Sequence, residues 1–310
     1  MQSRIKREKN KKTKKLTDFF ELAEQEVATR TAALSRSTVE NYRTALRSLR
    51  CFLGRDITTA ELSGELLKEY ERWLRQRDVS PNTVSCYMRS LRSLSAHLCS
   101  EEAKDSFSQV FTGRCKTDKR AITEAEISRL RKLQLPRGTF LYLVRDLFLF
   151  SFYSLGMPFV DMAFLRKKQI GEGQIVYHRH KTGQRIVITI EPCMQEIINR
   201  YEDSERDYVF PLLSTDNPQK AYDEYLLKLN RYNRALKQIA FRAGISRRLT
   251  SYVSRHSWAS VAFSNNVDLP VISKALGHAN PQNTLTYIKE INDDRLSKAN
   301  REILKSLKND

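Results

Sequence analysis

The chain has 310 residues, of which 40% are hydrophobic and 9% aromatic, with 10 glycines and 8 prolines. This composition excludes collagen-like and wholly disordered chains, and the length predicts about two domains. There are 54 Lys and Arg against 36 Asp and Glu, a formal net charge of +18. Such an excess of positive charge favours a polyanionic partner, above all nucleic acid, because cationic side chains bind phosphates.

Neither cysteine usage nor apolar runs indicate an extracellular or membrane protein. The five cysteines form no C-x-x-C pair, which favours a reducing cytoplasm. No apolar run is long enough for a membrane span, and a signal peptide is not indicated. Because there is no G-x-x-x-x-G-K-[ST] loop and no carboxylate cluster at metal-ligand spacing, we expect neither a nucleotide cofactor nor a metal.

Residues 1–15 form a basic tail with eight cationic side chains and one acidic side chain. Its very low apolar content predicts a segment that is flexible on its own. Two interpretations stay open: an arm that contacts DNA phosphates, or a solubilising tail.

Residues 16–100 predict an all-helical domain of four helices. The first covers 16–28, the second begins at the Ser37/Thr38 cap and runs to 53, and the third covers 59–77. The fourth begins at Ser80-Pro81, a capping residue followed by proline at the first helical position.

The second and fourth helices carry the same pattern. T-V-x-x-Y-x-x-x-L-R-S-L occurs from Thr38 and again from Thr83, and it gives each helix one apolar face. The arginines beside that face are candidate DNA contacts: Arg43, Arg47, Arg89 and Arg92. Ordinary solvated surface is the alternative.

Residues 101–119 are predicted to be a linker, and residues 120–310 a second, α+β domain. This domain opens with the capping box T-E-A-E at 123–126. An apolar helix over 140–153 and a short helix after Pro158 follow, then a β-hairpin over 174–190 with its turn at 181–184, and further helices to 308. The chain is therefore expected to be mainly α.

Four local motifs in this domain carry chemistry. Lys181 lies at the tip of the hairpin, and Arg255 and His256 follow Tyr252 at the start of a helix. His278 comes after the helix-ending L-G pair, and Tyr287 stands nine residues later.

The order and spacing of these motifs resemble the tyrosine recombinase (phage integrase) family over about residues 16–300. There a hairpin lysine precedes an H-x-x-R-H box, an L-G-H box and a tyrosine. The resemblance implies a helical core-binding domain followed by a catalytic domain. It also implies cleavage and rejoining of duplex DNA through a 3′-phosphotyrosyl intermediate.

Roles for single residues follow from this resemblance. Tyr287 would be the nucleophile, Arg255 and His278 would bind the phosphate, and Lys181 would protonate the leaving 5′-oxygen. Tyr252 stands where the family commonly has histidine and can still donate a hydrogen bond to phosphate. His256 would contact DNA, or else be a buried histidine bonded to the backbone.

One position departs from the family pattern. The first catalytic arginine is expected at the turn around Gly156, where this chain has Leu155 and Pro158. The nearest arginines along the chain, Arg145 and Arg166, are not expected to reach the same phosphate. With this departure, the resemblance implies a slow recombinase, one with a substitute cation, or an inactive form that still binds its site.

The expected partner is double-stranded DNA with inverted-repeat sites, bound by a homodimer and paired in a homotetrameric synapse. Integration, excision and inversion all remain open. A DNA-binding protein without activity is one rival. A type IB topoisomerase, with the same nucleophile but little sequence preference, is the other. A cytoplasmic, nucleoid-associated protein fits each of them.

Overall fold

The computed structural model describes residues 18–98, 106–115, 120–278 and 282–285. The chain divides into two compact units, Met1–Thr117 and Asp118–Asp310. The predicted basic tail over 1–15, the predicted helix over 293–308 and Tyr287 lie outside the described residues.

Four α-helices make up most of the first unit's described part: α1 (Phe19–Arg30), α2 (Arg36–Leu53), α3 (Gly64–Gln76) and α4 (Pro81–Leu98). Three of these helices differ in their bounds from the sequence prediction. The first is Phe19–Arg30, capped by Asp18, where 16–28 was predicted. Ser35, rather than Ser37 or Thr38, caps α2, because its hydroxyl accepts the backbone N–H of Thr38. The third helix begins at Gly64, since residues 59–61 form a separate 3-10 turn.

The repeated pattern of α2 and α4 brings these two helices together. Val39 and Leu49 on α2 and Leu91 on α4 are buried in the core of the first unit. The Tyr42 hydroxyl on α2 and the Ser93 hydroxyl on α4 are hydrogen bonded at 2.9 Å. Each copy of the pattern thus turns its apolar face to the other.

Residues 106–115 lie within the predicted linker, yet they are packed chain. Phe107 and Val110 are buried in the core of the first unit. The Ser85 hydroxyl donates to the carbonyl of Gly113 over 2.6 Å, and the Phe111 N–H donates to Glu71 over 2.9 Å. Residues 106–115 of the segment predicted as a linker over 101–119 therefore pack on the first unit. Three apolar residues, Phe107, Val110 and Phe111, are too few to show a period.

The second unit combines eight described helices with one small sheet. In chain order its elements are α5 (Glu124–Lys132), α6 (Phe140–Tyr153), α7 (Phe159–Ala163), β1 (Ile170–Gly171), β2 (Gln174–His178), β3 (Arg185–Thr189), α8 (Pro192–Arg200), α9 (Pro218–Arg242), α10 (Val253–Ser264), α11 (Leu269–Ala275) and α12 (Gln282–Leu285). The mainly helical fold class, with an α+β second domain, is confirmed.

The sheet is antiparallel, in the order β1-β2-β3. The predicted hairpin is its β2–β3 pair, in which His178 is opposite Arg185. Ile175, Tyr177, Ile186 and Ile188 turn into the core of the second unit. The strand β1 was not predicted, since two residues cannot show an alternation.

No helix in the described part of the chain is both long and apolar enough to cross a membrane.

Candidate active site

Arg255 is fixed at the centre of the second unit. It lies in the first turn of α10, is only 2% exposed and donates from Nη1 to the Gly156 carbonyl over 2.9 Å. Its Nη2 donates to the Leu276 carbonyl. A guanidinium held at both ends in this way is rigid, and it needs no rearrangement to present its N–H groups.

The turn before α7 passes directly over Arg255. Gly156 has φ of +73°, and a Cβ at this position would lie 2.9 Å from the Arg255 Cα. Leu155 also has a positive φ, of 58°, which costs free energy for a residue with a side chain. Only glycine at 156 permits both this backbone conformation and this contact.

His278 lies beside Arg255, just after α11. Gly277, with φ of +62°, turns the chain there. The His278 Nε2 is 3.4 Å from the Arg255 Nη2, and its Nδ1 is 2.8 Å from the hydroxyl of the buried Thr284. Burial lowers the pKa of His278 to about 4, helped by the charges of Arg255, Arg179 and Lys181. The imidazole is therefore neutral at pH 7.

The β2–β3 hairpin brings two cations to this place. Lys181 is exposed in its turn, and its charge acts on His278. Arg179, just after β2, is 5% exposed and donates from Nη1 to the carbonyls of Leu276, over 2.6 Å, and Gly277, over 2.8 Å. Arg179 and Arg255 therefore share the Leu276 carbonyl.

Two further predicted residues lie near the start of α10. Tyr252 is 44% exposed at the N-terminal cap position. Its ring centroid is 6.4 Å from that of His256, one helical turn on. Burial lowers the pKa of His256 to about 4, together with the charges of Arg120 and Arg255, so this histidine is neutral at pH 7 as well.

Asp161 is a carboxyl group that the sequence analysis missed. It lies in the first turn of α7, is 5% exposed and accepts the backbone N–H of His180 over 2.9 Å. Burial raises its pKa against the opposing effects of that hydrogen bond and of Arg179 and Arg255. The bond ties the end of β2 to α7, three residues after Pro158.

Arg179 and Thr284 were missed too, and only one of them had a signal. Ile175 and Tyr177 are the buried residues of β2, and the same alternation places Arg179 in the core. An arginine on the buried side of a strand needs polar partners, which makes it a candidate site residue. Nothing in the sequence around Thr284 indicates its contact with His278.

The four arginines predicted to bind DNA lie on α2 and α4 of the first unit. Arg43 pairs with Glu40 at 3.2 Å on α2, and Arg89 donates to the carbonyl of Ser85 on α4. Arg47 donates to the Thr44 hydroxyl over 3.2 Å. The side chains of all four are exposed to solvent.

Two family profiles match this chain, one for each unit. The phage integrase SAM-like domain matches residues 18–105, and the phage integrase family matches residues 121–293, more than half of the chain. These matches define a site-specific DNA recombinase of the tyrosine type. The chain belongs to the phage integrase family, the tyrosine recombinases.

The chain is also similar in sequence to individual tyrosine recombinases. The chain is 25% identical to the tyrosine recombinase XerD of Halalkalibacterium halodurans over 262 residues, which cover 82% of this chain and 87% of the relative. It is 24% identical to the tyrosine recombinase XerA of Thermococcus onnurineus over 264 residues, covering 74% and 92%.

Two solved structures share the fold. A lambda integrase dimer bound to a COC′ core site has a TM-score of 0.68 at 13% identity, covering 87% of this chain and 93% of that one. The Tn1549 transposon integrase in complex with circular intermediate DNA has a TM-score of 0.63 at 15% identity, covering 91% and 99%. At these identities the likeness shows the fold alone.

Proposed function

We propose that the cluster of Arg255, His278 and Lys181 binds the scissile phosphate of duplex DNA while Tyr287 attacks it. The observation that carries this proposal is the rigid placement of Arg255 against His278, with Nη2 and Nε2 3.4 Å apart. The transition state of phosphoryl transfer carries extra negative charge on its non-bridging oxygens. N–H donors that are already fixed in position stabilise that charge.

The step is balanced without a cofactor. The Tyr287 hydroxyl releases its proton to solvent water as its oxygen forms a bond to phosphorus, and the bond from phosphorus to the 5′-oxygen breaks. Lys181, in the exposed hairpin turn, gives a proton to the leaving 5′-oxygen. The products are a 3′-phosphotyrosine and a 5′-hydroxyl. Another 5′-hydroxyl reverses the step and rejoins the DNA.

His278 takes part in its neutral form, because its pKa of about 4 leaves it uncharged at neutral pH. Its Nε2–H donates to the phosphate while its Nδ1 accepts from the Thr284 hydroxyl. Tyr252 at the exposed start of α10 supplies a further hydroxyl to the phosphate backbone. His256, which is half-buried one turn further on, supports the position of Tyr252 and contributes to DNA contact.

We propose that the first unit is the core-binding domain and binds the DNA through α2 and α4. Arg43, Arg47, Arg89 and Arg92 would contact phosphates, since all four are exposed beside the buried faces of these helices. The basic tail over 1–15 would add non-specific phosphate contacts.

The proposed DNA site is an inverted repeat bound by two protomers, and two such sites would pair in a tetramer. Solved relatives include a lambda integrase dimer on a core site and a lambda integrase tetramer on a Holliday junction. The segment over 293–308 would dock onto a neighbouring protomer. Whether integration, excision or inversion results depends on how the sites are arranged in the DNA.

The test is covalent trapping on a duplex that the protein itself selects from a random library. A nick close to the cleavage position lets the short 5′-hydroxyl strand diffuse away, so that the covalent complex accumulates. We expect a band on a denaturing gel with the wild type and none with Tyr287→Phe. Sequence-specific binding without such a band would instead show an inactive DNA-binding protein. Relaxation of plasmids that lack the site would show a topoisomerase.

A further inference from the structure

The turn that should supply a second arginine to the phosphate has none. Leu155 is half-buried there and Pro158 is buried. Arg145 and Arg166 are held elsewhere: Arg145 by Asp146, at 2.8 Å, and by the carbonyl of Leu133. Arg166 is held by Asp207, at 2.9 Å, and Asp216, at 2.7 Å. Neither guanidinium is available for the DNA.

Arg179 reaches the same place from the hairpin. Its Nη1 and the Nη2 of Arg255 both donate to one oxygen atom, the Leu276 carbonyl. Two nitrogens that donate hydrogen bonds to the same oxygen lie at most about 6 Å apart. A phosphate spans about that distance between its non-bridging oxygens and their donors, so one phosphate can meet both guanidinium groups.

The hydrogen bonds of Arg179 are incomplete within the described residues. Its Nε is buried and has no hydrogen-bond partner there. In the same part of the chain no carboxylate lies within ion-pair distance of Arg179, although Asp161 is near enough to act on its charge. A buried guanidinium N–H without an acceptor costs free energy, and an anion placed against it would remove that cost.

Contacts around Arg179 fix its position. Its backbone closes the hairpin turn, since its N–H donates to the Gln184 carbonyl over 2.8 Å and its carbonyl accepts from Gly183 over 2.8 Å. A Cβ on Gly277 would lie 3.2 Å from the Arg179 Cδ. The same turn carries Lys181, so one element brings two cations.

We propose that Arg179 takes the place of the arginine missing at Leu155 and Pro158, and that it binds the scissile phosphate together with Arg255. Arg179 is then a catalytic residue that reaches the phosphate from β2, whereas the family pattern reaches it from the turn before α7. This inference rests on the proposed function, because it assigns a further residue to the same phosphate.

The experiment measures the single-turnover rate of covalent complex formation on the selected nicked duplex, with protein in excess. Arg179→Ala should slow this rate by about 10²–10³, as losing one such donor typically does. Arg179→Lys should slow it less, because it keeps the charge but loses the planar fork. The matched control is Arg185→Ala, an exposed arginine opposite His178 in the same hairpin, which should change the rate less than threefold.

A second substrate separates phosphate contact from mere support of the hairpin. In a methylphosphonate, a neutral methyl group replaces one charged oxygen of the scissile phosphate. If Arg179 neutralises that oxygen, Arg179→Lys and Arg179→Ala should lose several-fold less rate, relative to wild type, on one methylphosphonate stereoisomer than on ordinary DNA. A structural role predicts equal losses on both substrates, and that result would overturn the proposal.

The outcomes also distinguish this inference from the function beneath it. If wild type traps DNA through Tyr287 and both Arg179 variants, with melting temperatures near that of wild type, trap it equally fast, the Arg179 role is wrong and the recombinase function stands. If wild type binds its site but never forms the covalent complex, the proposed function fails and the Arg179 role fails with it. Rate recovery by Leu155→Arg in the Arg179→Ala variant would further support the exchange of positions.

Discussion

His278 is the residue whose chemistry the structure defines most sharply. It is half-buried among Arg255, Arg179 and Lys181, and its pKa is lowered to about 4, first by burial and then by these charges. We expect no increase in the cleavage rate as the pH falls from 7 to 5, because the neutral form is the active one. Single-turnover trapping over this range checks it. A rate that rises toward pH 6 would instead require a protonated His278.

The same shifts predict how stability depends on pH. The ordinary pKa of histidine is 6.5, and burial lowers it to about 4 in both His256 and His278. Between these values the unfolded chain binds protons that the folded chain does not, so stability is lost as the pH falls from about 6.5 to about 4. Replacing both histidines with glutamine should make the melting temperature depend less on pH in this window. Asp161, whose raised pKa acts in the opposite direction, is present in both proteins and cancels in the comparison.

Gly156 permits a test with an internal control. Gly156 and Gly138 have similar φ values, +73° and +76°, but a Cβ added at Gly156 would meet Arg255, whereas one added at Gly138 would meet nothing within 4 Å. Alanine at either site should cost about 1 kcal/mol in backbone strain. Gly156→Ala should cost at least about 1 kcal/mol more and slow DNA cleavage about tenfold or more, since it displaces Arg255. Urea unfolding and trapping measure both. Equal effects at the two glycines would show that Arg255 is not sensitive to this contact.

At the residue scale, the sequence predicts site residues that belong to local motifs. It misses site residues whose contacts form only when distant parts of the chain fold together. Lys181, Arg255 and His278 each stand in a recognisable motif, and the structure brings them together. Asp161 was missed because its contact, the N–H of His180, comes from an element 19 residues away. Arg179 was missed although strand alternation places it inside, because its acceptors at Leu276 and Gly277 lie almost 100 residues further on.

At the scale of elements, periodicity predicted nearly every helix of the described chain. The apolar helix over 140–153 has the bounds that were predicted, and the capping box at Thr123 and Glu126 is confirmed. The prediction missed segments that show no hydrophobic periodicity. These are the two-residue strand β1 and the packed segment around Phe107. Elements shorter than one period leave no pattern, and only tertiary packing stabilises them.

The pair α2 and α4 makes a quantitative prediction about DNA binding. Arg47 and Arg92 occupy the same position in the two copies of the repeated pattern, and both are exposed. Each change to alanine should weaken binding several-fold and lower the slope of log affinity against log salt by about 1. Fluorescence anisotropy over a series of salt concentrations measures both quantities.

Arg50 is the control on the same helix. It pairs with Asp56 at 2.8 Å and Glu24 at 3.4 Å and lies over the Phe20 ring. Arg50→Ala should therefore lower stability slightly, by roughly 0.5–1 kcal/mol, and leave the salt slope unchanged. An unchanged slope in Arg47→Ala and Arg92→Ala as well would assign these arginines to ordinary solvated surface.

At the scale of the whole molecule, the two units have separate hydrophobic cores. The first core uses only residues up to Val110, and the large core of the second begins at Ile122. Because each core is complete within its own unit, we expect fragments 1–117 and 118–310 to fold separately, each with one cooperative unfolding transition. Circular dichroism during heating checks this.

The same division predicts how the intact chain binds its site. If both units contact one DNA duplex, the linked chain should bind far more tightly than either fragment, since the first contact raises the effective concentration of the second. The numbers of neutralised phosphates should add, so the salt slope of the intact chain should approach the sum of the two fragment slopes. Anisotropy titrations on one duplex measure all three slopes. An intact-chain slope equal to that of fragment 118–310 would mean that the first unit does not touch the DNA phosphates. The exposed arginines of α2 and α4 would then need another role, and the net charge of +18 would have to act mainly through the second unit.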